Sequence, residues 1–100
     1  MSLTLSTRQV GDVTVIDASG RITLGEGSTS LRETIKSLLD EGKSKLLLNM
    51  ESVSYIDSSG IGELVSGYTT VRGKGGELKL LNLSKRIYDL LQITKLYTVF

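Results

Sequence analysis

Apolar and polar positions alternate along the first part of the chain on either side of Gly11-Asp12, with Val13, Val15 and Ile16 carrying the apolar pattern and Gly20 closing it. This pattern around a glycine turn predicts a β-hairpin with strands over 2–9 and 12–19. Thr23-Leu24-Gly25-Glu26-Gly27-Ser28 reads as a loop by composition. The period then changes. Leu31, Ile35, Leu38 and Leu39 make one apolar helix stripe, with Arg32, Glu33, Lys36 and Asp40 on the other side. Ser30-Leu31-Arg32-Glu33 has the capping-box pattern and predicts the helix start, and Gly42 predicts its end.

Lys45-Leu46-Leu47-Leu48-Asn49-Met50 is a short apolar run that predicts a central strand covered on both faces. A further β-branched and aromatic run, Val53-Ser54-Tyr55-Ile56, leads into Asp57-Ser58-Ser59-Gly60. Ile61, Leu64, Val65 and Tyr68 then follow the i, i+3, i+4, i+7 rule of a helix from about Ser59 to Gly73. The turn Gly73-Lys74-Gly75-Gly76 closes that helix. Glu77–Asn82 predicts a fourth strand, and Ser84 opens a third helix with Ile87, Leu90 and Leu91 on one face. Leu96–Phe100 fits a short helix or a strand equally well.

Strands alternating with helices after a hairpin predict a single α/β domain over residues 1–100. Its mixed sheet has four to five strands, the later ones parallel and joined by right-handed crossovers, with three to four helices. Functional loops in such folds lie at the carboxyl ends of the strands. Asp57-Ser58-Ser59-Gly60 lies at such an end. There Ser58 or Ser59 is expected to cap the helix, and Gly60 to let the chain turn and another molecule approach.

Composition narrows the chemistry. The 100 residues include 12 Lys and Arg against 11 Asp and Glu, a net charge of +1, which gives no electrostatic reason to expect nucleic acid or an anionic membrane as partner. There is no Cys and no His. Disulfides, thiolate chemistry, Cys/His zinc sites and imidazole bases are therefore excluded, and neither cofactor nor metal is expected. No stretch approaches the roughly 20 apolar residues of a membrane span, and the N-terminus lacks a signal-peptide pattern, so a cytoplasmic protein is expected.

Three motifs compete for a chemical role. Gly73-Lys74-Gly75-Gly76 lacks the spacing of a phosphate loop and ends a helix instead of opening one. A nucleotide-binding reading would rest on it and on the Leu24-Gly25-Glu26-Gly27 loop alone. Asp57 at a strand end suits a phospho-accepting aspartate, but the carboxylates that would hold Mg²⁺ at an earlier strand end are missing: the hairpin ends in Ala18-Ser19-Gly20-Arg21. A serine nucleophile at Ser58 or Ser59 lacks a base, with no His and no Ser-x-x-Lys pairing. A serine can instead be a kinase substrate, the partner supplying Mg-ATP and the base.

Gly62, Ser66 and Gly67 are expected together on the side of the second helix away from its apolar face. Glycine inside a helix costs about 0.5–1 kcal/mol against alanine, so two of them ask for a reason. Close approach by a partner and tight packing on the chain's own sheet both supply one.

The string Val53-Ser54-Tyr55-Ile56-Asp57-Ser58-Ser59-Gly60-Ile61-Gly62 resembles the phosphorylation-site signature of STAS domains, specifically the stand-alone anti-sigma factor antagonists of bacteria. Gly20-Arg21-Ile22, Gly75-Gly76-Glu77-Leu78 and Asp89–Leu96 extend the resemblance over nearly the whole chain. Ile22-Thr23 stands where many members have Leu-Asp. The resemblance implies a non-enzymatic binding module that, unphosphorylated, binds an anti-sigma factor with a histidine-kinase-like ATP-binding fold and so releases a sigma factor. That kinase would phosphorylate Ser58 and end the interaction, and a metal-dependent serine phosphatase would restore it. Asp57, Ser58, Ser59 and Gly60, with Gly62, Glu63, Ser66 and Gly67 on the following helix, would form the partner surface of a monomer or weak dimer. The alternative is a STAS-like scaffold or sensor module in another signalling complex, with Ser58 seldom modified.

Overall fold

The computed structural model describes the backbone of residues 3–93 and the side chains of residues 3–89. Four strands form one sheet in the order β1 (Leu3–Val10), β2 (Val13–Ile22), β3 (Lys45–Ile56), β4 (Glu77–Leu81). The β1–β2 pair is antiparallel, and β2–β3 and β3–β4 are parallel. The three helices are α1 (Glu26–Asp40), α2 (Ser58–Gly73) and α3 (Lys85–Ile93). This is the expected mixed α/β layout, with four strands and three helices among the described residues. Leu90 and Leu91, expected on the apolar face of α3, and the segment 96–100 lie outside the residues whose side chains or backbone are described.

β2 runs two residues past the expected stop at Gly20. Its pairing with β3 shifts register between Asp17 and Ser19 and again between Gly20 and Arg21, so that Arg21 faces Tyr55 and Ile22 faces Ile56. Gly20, at φ 110°, absorbs that irregularity inside the strand and does not end it. β3 is likewise one strand of 12 residues. Its Leu46, Leu48 and Met50 are buried in the core with Ile35 of α1 and Leu64 of α2. Leu47 and Asn49 on the opposite face are only half-buried, so β3 is central but not equally covered on both faces.

The capping box expected at Ser30 does not start α1. The helix begins at Glu26, with Gly25 as N-cap and no side-chain cap. A Cβ on Gly27 would stand 2.9 Å from the Arg21 carbonyl oxygen, so the absence of a side chain lets this first turn lie against the end of β2. Ser28, buried one position later, donates its hydroxyl to the Thr23 carbonyl at 2.9 Å. Both glycine-marked helix ends are as expected. At α1, Lys43 N donates to Leu38 O and Gly42 N to Leu39 O. At α2, Gly76 N donates to Val71 O and Gly75 N to Arg72 O, the paired bonds of a Schellman turn in each case. Gly73-Lys74-Gly75-Gly76 is therefore a helix stop. Ser84 opens α3, its hydroxyl accepting from Ile87 N at 3.2 Å.

Candidate functional site

At the carboxyl end of β3 the chain turns into α2 within one residue. That residue, Asp57, is extended (φ −102°, ψ −176°) and caps the helix, Oδ1 accepting from Gly60 N at 2.8 Å. The cap expected of Ser58 or Ser59 therefore falls to Asp57. Three consecutive residues could accept from the first turn, and β pairing chooses among them: Asp57 N donates to Ile22 O at 3.3 Å, which fixes Asp57 as the last extended position. Its other oxygen, Oδ2, accepts from Leu24 N at 3.2 Å and ties the β2–α1 loop to the same point. The Gly60 N–H, followed by the Leu24 and Ser59 N–H groups, holds the Asp57 carboxyl below its ordinary value, against an opposing effect of burial.

Ser58 is exposed on the first turn of α2, and its hydroxyl has no hydrogen-bond partner among the described residues. Ser59 is half-buried beside it. Gly60 is buried: a Cβ there would run into the Ile22 carbonyl oxygen and stand 2.6 Å from Ile56 Cγ1. The smallness of Gly60 thus serves the chain's own β2 and β3, where another molecule's approach was expected.

The structure divides the expected ridge on α2. Gly62 and Ser66 are exposed and share the face of Ser58 at i, i+4 spacing, and a Cβ on Gly62 would meet nothing within 4 Å. Gly67 belongs to the buried face with Gly60, Leu64 and Val71. A Cβ there would come 2.9 Å from Ile35 Cδ1, so packing against α1 explains Gly67 and leaves Gly62 unexplained. Glu63 also turns toward α1: its side chain is 16% exposed and Oε1 lies 3.7 Å from Arg32 Nε. These residues flank a cavity of about 250 Å³ between α1 and α2, floored by Ile35, Leu39 and Gly67, whose lining does not include Ser58.

One neighbour of the site comes from the Leu24-Gly25-Glu26-Gly27 loop, for which the sequence favours a structural or partner-contact role. Leu24 is 78% exposed, an apolar side chain on a loop that Asp57 pins beside Ser58. Its only signal was an apolar residue inside a glycine-rich loop. Among the described residues no group of three or more acidic side chains is placed to hold a metal ion, and no helix is long and apolar enough to cross a membrane.

A family model described as the STAS domain matches residues 4–100. The anti-sigma-B factor antagonist of Bacillus subtilis (strain 168) is 42% identical over 66 residues, which is 66% of this chain and 60% of that protein. The chain spans about 60% of the length of the curated relatives it matches. In fold it is similar to an anti-sigma factor antagonist from Mycobacterium paratuberculosis, with a TM-score of 0.85 at 19% identity over 98% of this chain and 82% of that one. It is also similar to the Bacillus cell fate determinant SpoIIAA in its phosphorylated form, with a TM-score of 0.73 at 23% identity over 93% of this chain and 85% of that one.

Proposed function

The chain belongs to the STAS-domain family, and from that premise we propose that it is an anti-sigma factor antagonist, a binding module switched by phosphorylation of Ser58 and not itself an enzyme. The observation that carries the reading is the Ser58 hydroxyl, exposed, without a hydrogen bond among the described residues, and held on a helix start that Asp57 fixes from two sides. The anti-sigma-B factor antagonists among its relatives and the phosphorylated form of SpoIIAA support it.

In this reading the partner is an anti-sigma factor that carries ATP on a histidine-kinase-like fold. Docking on Ser58, Gly62, Ser66 and Leu24 brings Ser58 Oγ in line with the γ-phosphate. The Oγ–P bond forms as the bond to ADP breaks, and the hydroxyl proton passes to a base on the partner. The product carries about −1.5 to −2 charges at the centre of the docked surface, directly beside Asp57. The N-terminus of α2 tolerates that charge within the free protein, but an interface that must desolvate it against the partner does not. Binding is lost, and a metal-dependent serine phosphatase resets the surface.

Gly62 supports the same surface. Its exposed position leaves a cost of about 0.5–1 kcal/mol in the helix with no internal packing to account for it, and a closely approaching partner does account for it. Co-purification with the native kinase, followed by phosphopeptide mapping after Mg-ATP addition, tests the assignment. Phosphate on Ser58 and release of the complex are expected. Stable binding in a complex that never phosphorylates Ser58 would favour the scaffold reading.

A further inference from the structure

The first turn of α3 contains no acidic residue, although Lys85 and Arg86 open the helix, the reverse of what the positive end of a helix dipole favours. Lys85 is balanced by Asp89, Nζ to Oδ2 2.9 Å. Arg86 is not. Its guanidinium carbon lies 5.7 Å from the centroid of the Tyr55 ring, and the Arg21 guanidinium carbon reaches the same ring at 4.9 Å. The three residues come from the ends of β2 and β3 and the start of α3, with Arg21 and Tyr55 directly paired across the sheet.

Neither guanidinium has a carboxylate or hydrogen-bond partner among the described residues. Elsewhere the arginines are engaged: Arg8 with Asp17, Arg32 with Glu63 and Arg72 with the Tyr68 hydroxyl. Stacking on Tyr55 can satisfy the flat face of each guanidinium, but it leaves the N–H edges, five donors apiece, unused. Two guanidinium groups gathered about one ring, with free donor edges and no counter-ion among the described residues, offer charged forks to a planar or tetrahedral oxyanion.

We propose that Arg21, Tyr55 and Arg86 form an oxyanion site that takes a carboxylate or a phosphate. The site lies one residue before the Ile22–Asp57 hydrogen bond, at the same end of the sheet as Ser58, yet it does not depend on Ser58 being modified. The oxyanion has two possible sources, a free phosphate or the acidic side chains of a protein partner.

The test is an NMR titration of the full chain, observing the Arg Nε–H groups, with inorganic phosphate in one arm and a short glutamate-rich peptide in the other. Saturable shifts at Arg21 and Arg86 are expected in at least one arm. Phosphate alone points to a free ion, and the peptide alone to a protein partner. Arg21→Gln and Arg86→Gln should each weaken binding about tenfold or more, whereas Arg32→Gln, outside the cluster, should leave it unchanged. Should Arg21→Gln disturb the end of β2, Arg86→Gln on the exposed first turn of α3 decides alone. Absence of saturable shifts in both arms, or equal affinity in Arg86→Gln, overturns the site. Because Ser58→Ala should bind these anions like the wild type, failure of the Ser58 switch would be seen separately.

Discussion

Asp57 holds Leu24: the carboxylate that caps α2 through Gly60 N also accepts from Leu24 N at 3.2 Å, so the one highly exposed leucine of the β2–α1 loop is fixed beside Ser58. Leu24→Asp should leave stability within about 0.5 kcal/mol, since an exposed side chain is lost. Partner binding should fall about tenfold or more if Leu24 is an anchor of the docked surface. Titration calorimetry against the anti-sigma factor, alongside urea unfolding, reads both.

The Asp57 carboxyl is held low chiefly by Gly60 N–H. A depressed folded-state value means that its stabilisation is present above the unfolded value, near 3.8, and is lost as pH falls through the lower folded value. Asp17, held low by Arg8 and Asn49, and Asp12, held low by Lys45, act in the same direction. Stability should therefore decline with acid below about pH 4. Asp57→Asn, which can still cap but does not ionise, should flatten that decline without removing it, as followed by urea unfolding over a pH series.

Ser58→Ala removes the acceptor and little volume. It should bind the kinase as wild type does and resist release by Mg-ATP. Ser58→Asp and Ser58→Glu place charge at the docked centre and should bind about tenfold or more weaker from the outset. Calorimetry with and without Mg-ATP distinguishes the three. Wild-type release behaviour in Ser58→Ala would show that the switch lies elsewhere.

Ser59→Ala now carries a different expectation from that of a lost cap. With Asp57 as the cap, the change should move stability by no more than about 0.5 kcal/mol and leave Ser58 phosphorylatable. A loss near 1 kcal/mol in thermal unfolding would restore Ser59 to the capping role.

The two helix glycines should separate cleanly. Gly62→Ala should stabilise the fold by about 0.5–1 kcal/mol, and Gly62→Gln should fold but bind the partner poorly. Gly67→Gln must displace Ile35 and should destabilise by about 1–3 kcal/mol, whatever it does to binding. Equal stability of the two glutamine variants would contradict the packing described for α2 and α1.

What the sequence made legible was local. The hairpin, the helix stops at Gly42 and Gly75-Gly76 and the strand-to-helix turn at Asp57 each follow from neighbours along the chain. The early start of α1 was hidden because it depends on Gly27 meeting the Arg21 carbonyl of β2. The choice of Asp57 over Ser58 and Ser59 depends on Ile22, 35 positions back, and on β pairing. Gly62 and Gly67 look alike in a string, and only the approach of α1 tells them apart. The gathering of Arg21 and Arg86 on Tyr55 had no signal at all, because it joins three segments that meet only in the folded sheet.

The unengaged Ser58 hydroxyl has a consequence for the life of the protein in the cell. Because modification breaks no hydrogen bond among the described residues, and the pull of the helix end on the new charge is opposed by the Asp57 carboxylate beside it, phosphorylation of Ser58 should change the unfolding free energy little. Proteolysis that samples the unfolded state would then degrade both forms at nearly the same rate. On the proposed reading, the stock of protein would stay constant while the fraction competent to bind changes, and dephosphorylation of Ser58 would restore the signal without new protein.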